Sequence, residues 1–359
     1  MIGPLPPPIG GTRVSFGLLT EALSRRDDVE IRLVDLPHLR ANPLSGAVDL
    51  LRRLRRIRHH APQVDVISLH CNHTALHLLG AAVATMAKCY RKPLVIRTFG
   101  GYEFLDRCGP LRRAIVRTVL AAANVYLAQT HRQIRMARRH GIPHVAWYPT
   151  SRPVATDDGP ETAPSSATRR RFVFLGHIRK FKGVLDLIEA ARELDAEATV
   201  DVYGPFRDGL TEGIFEGQDA VRYRGVLAPE AVGPTLRRYD ALLMPTRTDI
   251  EGYPGVILEA YAAGLAVIAS RCGAIPEIVD DTCGILVDPG DAGMLRGAMD
   301  RLIADAELLG RLRAGACRKR ATFSLDVWVD RFVEICRETS SAGEHSADAA
   351  AWTPMGREF

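Results

Sequence analysis

The chain has 359 residues, 47% of them hydrophobic and 25% charged, with a formal net charge of +5. That length is long for one domain and suits two, and the composition is that of an ordinary globular protein rather than a disordered or fibrous one. No apolar run approaches the roughly 20 residues of a membrane span, and seven cysteines without a C-x-x-C pair point to reduced thiols in a cytosolic protein rather than to disulfides or a metal site.

The chain opens with MIGPLPPPIGG, which has neither the basic nor the apolar region of a signal peptide. Gly10 and Gly11 precede the helical stretch VSFGLLTEAL, and without a Cβ they let backbone approach a phosphate or a sugar closely; a plain turn would use the same residues. Such a loop is expected to follow a strand, yet only MIG precedes GPLPPP; either the first strand is missing or the sheet starts with what others would call its second strand, and a missing first strand is the expectation.

Strand-length apolar runs then follow at IRLVDL (31 to 36), VDVISL (64 to 69), PLVIRTF (93 to 99), NVYLA (124 to 128) and VAWY (145 to 148). Helical stretches separate them, which predicts a doubly wound α/β domain over residues 1–150. Within it LLRRLRRIRHH (50 to 60) places Leu50, Leu51, Leu54 and Ile57 at helical spacing against an arginine face. That face is either solvated or suited to contact with an anionic membrane or a lipid-diphosphate acceptor.

The stretch TSRPVATDDGPETAPSSAT is poor in large apolar residues and predicts a linker over 151–169. A second alternating set runs through RFVFLG (171 to 176), ATVDVYG (198 to 204), VRYRG (221 to 225), ALLMP (241 to 245), LAVIAS (265 to 270) and GILV (284 to 287), giving a second α/β domain over 170–322. LDVWVDRFVEICRE (325 to 338) has helical periodicity and predicts a terminal helix over 323–338 crossing back to the first domain. Residues 339–359 are small and polar apart from Trp352, Met355 and Phe359, which predicts a disordered tail.

The stretch EGYPGVILEAYAAGLAVIAS, residues 251 to 270, carries most of the chemistry. Pro254 suits the first helical position and Gly264 the exit, with strands on either side. In a parallel α/β sheet, ligands bind beyond the carboxyl ends of the strands, where helix N-termini offer N–H groups and partial positive charge. An anion is therefore expected at Gly255 and Val256. Glu259 lies one turn further in, roughly 6 Å along the axis at about 1.5 Å per residue, about the step from a diphosphate to its ribose, whose hydroxyls a carboxylate can accept. Glu251 lies on the other side of the anion, where a sugar on the far phosphate would sit. Upstream, His177, Arg179, Lys180 and Lys182 fill the loop after RFVFLG, and cations there suit a diphosphate leaving group. Taken singly, these glutamates and this loop are equally those of a solvated surface.

With these residues together, the chain resembles the GT-B fold glycosyltransferases of retaining family 4, from Gly3 to about Arg337. The resemblance rests on GPLPPPIGG, FLGHIRKFKGVLDLIEAA, DVYGP, VRYRGVL and above all MPTRTDIEGYPGVILEAYAAGLAVIASRCGAIPEIVDDTCGILVDPGD (244 to 291). It implies two Rossmann-like doubly wound domains facing a cleft, an acceptor-side first domain and a second that binds a nucleoside-diphosphate sugar. It further implies sugar transfer with retention to a glycan or lipid-linked acceptor, in which the leaving phosphate deprotonates the acceptor hydroxyl.

By this resemblance Glu251, Lys182 and Arg179 are catalytic, and Gly10, Gly11, His177, Lys182, Gly204, Tyr253, Pro254, Gly255, Val256 and Glu259 bind the donor. His177 stands where the family carries an arginine, with Arg179 as its substitute, and Phe99 where many relatives carry a histidine, with His70 as a weak stand-in. No D-x-D triplet occurs, so no metal and no cofactor are expected, nor a nucleic-acid partner. The expected place is the cytoplasm, with peripheral contact at the inner face of the membrane. The rival readings are a degenerate, non-catalytic nucleotide-sugar-binding chain and a nucleotide-sugar 2-epimerase, for which Glu103, His70 and Glu251 are the available acid/base groups. A dinucleotide-dependent dehydrogenase lacks its G-x-G-x-x-G in strand context.

Overall fold

The computed structural model describes residues 1–7, 10–36, 43–154, 169–192, 194 and 198–344. It divides into two units, one of residues 1–150 with 325–359 and one of residues 151–324.

The first unit is built on a six-stranded, all-parallel sheet. Its strands are β1 (Ile2–Gly3), β2 (Val34–Asp35), β3 (Ile67–Asn72), β4 (Leu94–Phe99), β5 (Val125–Ala128) and β6 (Val145–Trp147), in the order β2-β1-β3-β4-β5-β6. Helices α2 (Pro43–His60), α3 (His73–Cys89), α4 (Pro110–Ala121) and α5 (His131–Arg139) share a core with one face of the sheet through Ile57, Leu76, Val83, Val116 and Met136. Helix α1 (Gly11–Ser24) covers the other face together with the terminal helix, Leu325–Glu344, through Leu19, Leu23, Val329 and Phe332. β3 and β4 lie between these two helical layers, and their polar Ser68, His70, Arg97 and Thr98 are buried along with their apolar residues.

Several expectations change here. The strand expected to be missing is present as Ile2–Gly3, paired to Val34–Asp35 on one side and to Leu69 on the other; two residues are too few to carry a period. Of IRLVDL only Val34 and Asp35 pair. The expected linker does not begin at 151: Ser151 and Arg152 are buried, and Arg152 bridges to Ser324 within the second unit; residues 155–168 lie outside those described. The terminal helix starts at Leu325 rather than 323. It runs on through Thr339–Glu344, expected to be disordered, where Thr339 and Ser341 hydroxyls donate to the carbonyls of Ile335 and Arg337 four residues back and so stay satisfied within the helix. Trp352, Met355 and Phe359 lie outside the described residues.

The second unit repeats the plan with β7 (Arg170–Leu175), β8 (Ala198–Tyr203), β9 (Val221–Tyr223), β10 (Ala241–Met244), β11 (Ala266–Ser270) and β12 (Gly284–Val287), all parallel in the order β12-β11-β10-β7-β8-β9. Helices α6 (Val184–Ala191) and α9 (Ala292–Ala304) cover one face through Val184, Leu187, Leu295 and Met299. On the other face α8 (Gly255–Ala262) packs against β10 and β11, flanked by α7 (Pro229–Leu236) and α10 (Ala306–Thr322). The chain starts in the middle of this sheet, builds outward to β9, and returns to lay β10 on the free side of β7. That reversal puts the loops after β7 and β10 side by side at the carboxyl edge, the position where open α/β sheets hold ligands.

Candidate functional site

The loop after β10 leads into α8, whose N-cap is Pro254 in an extended conformation (φ −61°, ψ 125°). The helix thus starts one residue later than expected, at Gly255, and Gly264 at φ +74° ends it with Leu265 N–H donating to Ala260 O. Ile257, Leu258, Ala260 and Tyr261 are buried, which leaves Glu259 on the helix's outer side with its side chain 25% exposed.

Glu251 is set just before the helix by the loop after β11. Ala274 N–H donates to its carbonyl at 3.0 Å, and at Gly273 (φ +54°) an added Cβ would lie 2.5 Å from that oxygen, so only glycine allows the approach. The Glu251 carboxylate accepts from Lys182 Nζ. The strand order therefore brings together two residues 69 apart in the chain, one from each loop at the reversal.

The loop after β7 is held on both sides. Ile178 N–H donates to Pro205 O and Arg207 N–H to Ile178 O, while Arg247 N–H and the Thr246 hydroxyl donate to Phe181 O. Gly183 (φ +75°) lies so close to Pro245 that a Cβ would fall 1.8 Å from its carbonyl oxygen. Arg179 stacks over Phe181, 5.0 Å from the ring centre, and pairs with Asp208 at 3.2 Å. Arg247 makes a forked pair with the buried Asp186 of α6. His177 is half-buried, and burial together with the charges of Arg207, Arg179 and Lys182 holds it below the ordinary histidine range. At neutral pH it is an uncharged imidazole, which cannot supply the cation of the arginine it replaces.

Two expected donor residues have other duties. Gly204 (φ +137°) packs its Cα on Gly176, where a Cβ would be 1.9 Å from the carbonyl oxygen; it lets two strand ends meet. Tyr253 is buried, donates its hydroxyl to Glu277 at 2.9 Å and sets its ring against Phe323, so its side chain faces the fold. In the first unit Gly10 is the extended N-cap of α1 and Gly11 its first residue. A Cβ at either would meet nothing within 4 Å, so described packing does not dictate glycine there.

The residue that inspection of the sequence misses is Arg152. Its Nε donates to Glu259 Oε1 at 2.6 Å, its side chain is 6% exposed, and its guanidinium lies on Gly255 so tightly that a Cβ there would be 1.7 Å from Nη2. The glycine at the start of α8 is thus matched to an arginine about a hundred residues upstream, and no local signal joins them.

Two of the acid/base groups expected for an epimerase, His70 and Glu103, are sealed or paired within the first unit. His70 is fully buried between Phe16 and Phe332, neither ring nitrogen reaches a partner among the described residues, and burial beside Arg97 holds it well below the usual range. Glu103 is occupied by a two-point pair with Arg132. Phe99 is buried under the Arg97 guanidinium. Among the described residues no three His, Cys, Asp or Glu side chains converge as metal ligands, and no helix is long and apolar enough to cross a membrane.

Residues 169–305 match the family described as glycosyl transferases group 1. Among curated proteins, the amylovoran biosynthesis glycosyltransferase AmsK of Erwinia amylovora is 29% identical over 178 residues, 46% of this chain and 44% of that one. An MMP alpha-(1->4)-mannosyltransferase of Mycolicibacterium hassiacum is 27% identical over 238 residues, 63% and 54% of the two chains. The chain spans about half the length of these curated relatives. Among solved structures, Anabaena Alr3699/HepE in complex with UDP superposes with a TM-score of 0.74 at 15% identity, over 94% of this chain and 98% of that one. Sucrose-phosphate synthase from Thermosynechococcus elongatus gives 0.70 at 18%, over 95% and 99%. At such identities the likeness is one of fold.

Proposed function

We propose that this chain, whose second unit carries a glycosyl transferases group 1 domain within a GT-B fold, is a retaining, metal-independent glycosyltransferase. It moves a hexose from a nucleoside-diphosphate sugar to a glycan or lipid-linked acceptor. The observation that carries the reading is the pairing of Lys182 with Glu251 beside the N-terminus of α8, where Glu259 sits one turn in.

The diphosphate docks on the N–H groups at the start of α8, which have no partner within the helix, with Lys182 and Arg179 as cations. Glu259 accepts the ribose hydroxyls. As phosphate arrives, Lys182 exchanges Glu251 for it, and the released carboxylate accepts hydroxyls of the donor sugar. In the reaction the bond from the anomeric carbon to the phosphate oxygen breaks, and the acceptor oxygen bonds to that carbon from the same face. The acceptor proton passes to the leaving phosphate. Preorganised cations and N–H groups stabilise the charge growing on that phosphate.

An acceptor carried on lipid is supported by one face of the first unit. Leu51 on α2, Leu78 on α3 and Leu111 and Ile115 on α4 are exposed, Leu111 by 74%, and exposed arginines 52, 55, 58, 112 and 117 share those helices. Apolar side chains among cations suit an anionic lipid surface, the peripheral inner-membrane place expected above. Relatives named for amylovoran and colanic acid biosynthesis support a polysaccharide product.

The test is a thermal-shift series with UDP, GDP, ADP and their sugar conjugates, followed by transfer assays with the sugar that binds. A ligand that binds only the folded chain raises its melting temperature. One responding base and transfer that Glu251→Gln abolishes support the reading; silence across the panel refutes it.

A further inference from the structure

Resting on the donor reading above, we infer that Arg152 is a positioning residue for the nucleotide site: it neutralises Glu259 and fixes its carboxylate so that a nucleoside diphosphate can bind one helical turn away.

Arg152 is held as a built part of the second unit. Its N–H donates to Phe323 O at 2.9 Å, it bridges to Ser324, and Nη1 donates to Ser151 O at 3.0 Å. Yet its charge lies at the N-terminus of α8, the end of the helix that repels cations, and burying a guanidinium is costly unless it is paired. The Glu259 carboxylate, 2.6 Å from Nε, offsets both costs, which explains how the arginine is tolerated but not why it is there.

Its use follows from the ligand. A lone carboxylate one turn from a diphosphate would oppose it, since like charges at such a distance repel strongly where solvent screens them poorly. Paired to Arg152, the carboxylate presents no net charge to the phosphates while its oxygens keep their acceptor character toward ribose. Gly255 completes the device, because any larger residue would push the guanidinium off Glu259. Arg152 thereby acts through Glu259 and requires no contact with the ligand.

The experiment is calorimetric titration of the full chain with the nucleoside diphosphate that the parent binds and with the bare nucleoside, using Arg152→Met, Arg152→Lys, Glu259→Gln and the Arg152→Met/Glu259→Gln pair. Arg152→Met is expected to weaken the diphosphate about tenfold or more, by analogy with losing a charged hydrogen bond, and to weaken the nucleoside less. Arg152→Lys recovers most of the loss, and with Glu259→Gln already present Arg152→Met costs little. If Arg152→Met does not fold by circular dichroism, Arg152→Gln carries the same comparison. Diphosphate binding unchanged in Arg152→Met overturns the inference while the donor reading stands. So does equal loss for diphosphate and nucleoside with no rescue by lysine. A parent that binds none of UDP, GDP and ADP removes the donor reading and this inference with it.

Discussion

Replacing Gly255 by alanine isolates the Arg152–Glu259 contact better than removing either partner. Gly255 does not have a positive φ, so alanine meets no backbone strain, and at a helical position alanine gains up to about 1 kcal/mol over glycine. Against this, the new methyl would lie 1.7 Å from Arg152 Nη2 and 2.6 Å from Cζ. The guanidinium is the far end of a flexible chain and can swing away, but only by giving up Glu259. Losing a charged hydrogen bond costs about 1 to 3 kcal/mol. With Arg152 6% exposed and Glu259 25% exposed, the carboxylate recovers part of its hydration, which sets the loss near the middle of that range, about 2 kcal/mol. The net effect is then a local destabilisation of about 1 kcal/mol, near fivefold in an opening equilibrium.

Tryptophan fluorescence is a poor probe of this change, because Trp147 and Trp328 belong to the first unit and the third tryptophan, Trp352, lies outside the described residues, and two units need not melt in one step. Amide exchange resolved to peptides covering 255–264 is the suitable assay. Gly255→Ala should exchange several-fold faster there. In an Arg152→Ala background the same substitution meets no obstacle and should slow exchange. If Gly255→Ala slows exchange with Arg152 in place, the proposed clash and everything built on the pair are wrong.

Gly204→Ala should fail to yield a folded second unit, seen as lost helical circular dichroism, because at φ +137° the methyl would lie 1.9 Å from a backbone oxygen that cannot move aside; soluble protein with the parent's spectrum would contradict it. His70 is held neutral below its unfolded value, so the unfolded chain binds the extra proton. Stability should therefore fall as pH drops below about 6.5, by up to about 1.4 kcal/mol per pH unit for this group. Urea titrations at pH 7 and 5 should show that slope reduced in His70→Leu, and an unchanged slope would assign it elsewhere. Sugar transfer should survive EDTA, and loss that manganese restores would rule out the metal-independent mechanism. Leu111→Asp should weaken cosedimentation with vesicles containing phosphatidylglycerol while leaving nucleotide binding intact; equal sedimentation of the variant and the parent would remove the membrane face.

What the amino-acid sequence determined by itself is the alternation of short apolar runs with amphipathic helices, because buried parallel strands and helices differ in length and period wherever they occur. The same local logic placed Glu259 one turn inside a helix and Glu251 before it, since helical rise depends only on residue number. Tertiary structure alone decided what those carboxylates touch. Lys182 meets Glu251 because β10 returns to the side of β7, and Arg152 meets Glu259 because Ser151 and Arg152 join the second unit across a stretch that looked like linker. Ile2–Gly3 pairs as a strand only because β2 and β3 flank it. His70, a polar residue between Leu69 and Cys71, turns out to be sealed between α1 and the terminal helix, whose place in the first unit depends on contacts made from more than 300 residues away. A pattern along the chain reports period and propensity; which charge neutralises which depends on strand order and loop closure, and those exist only in three dimensions.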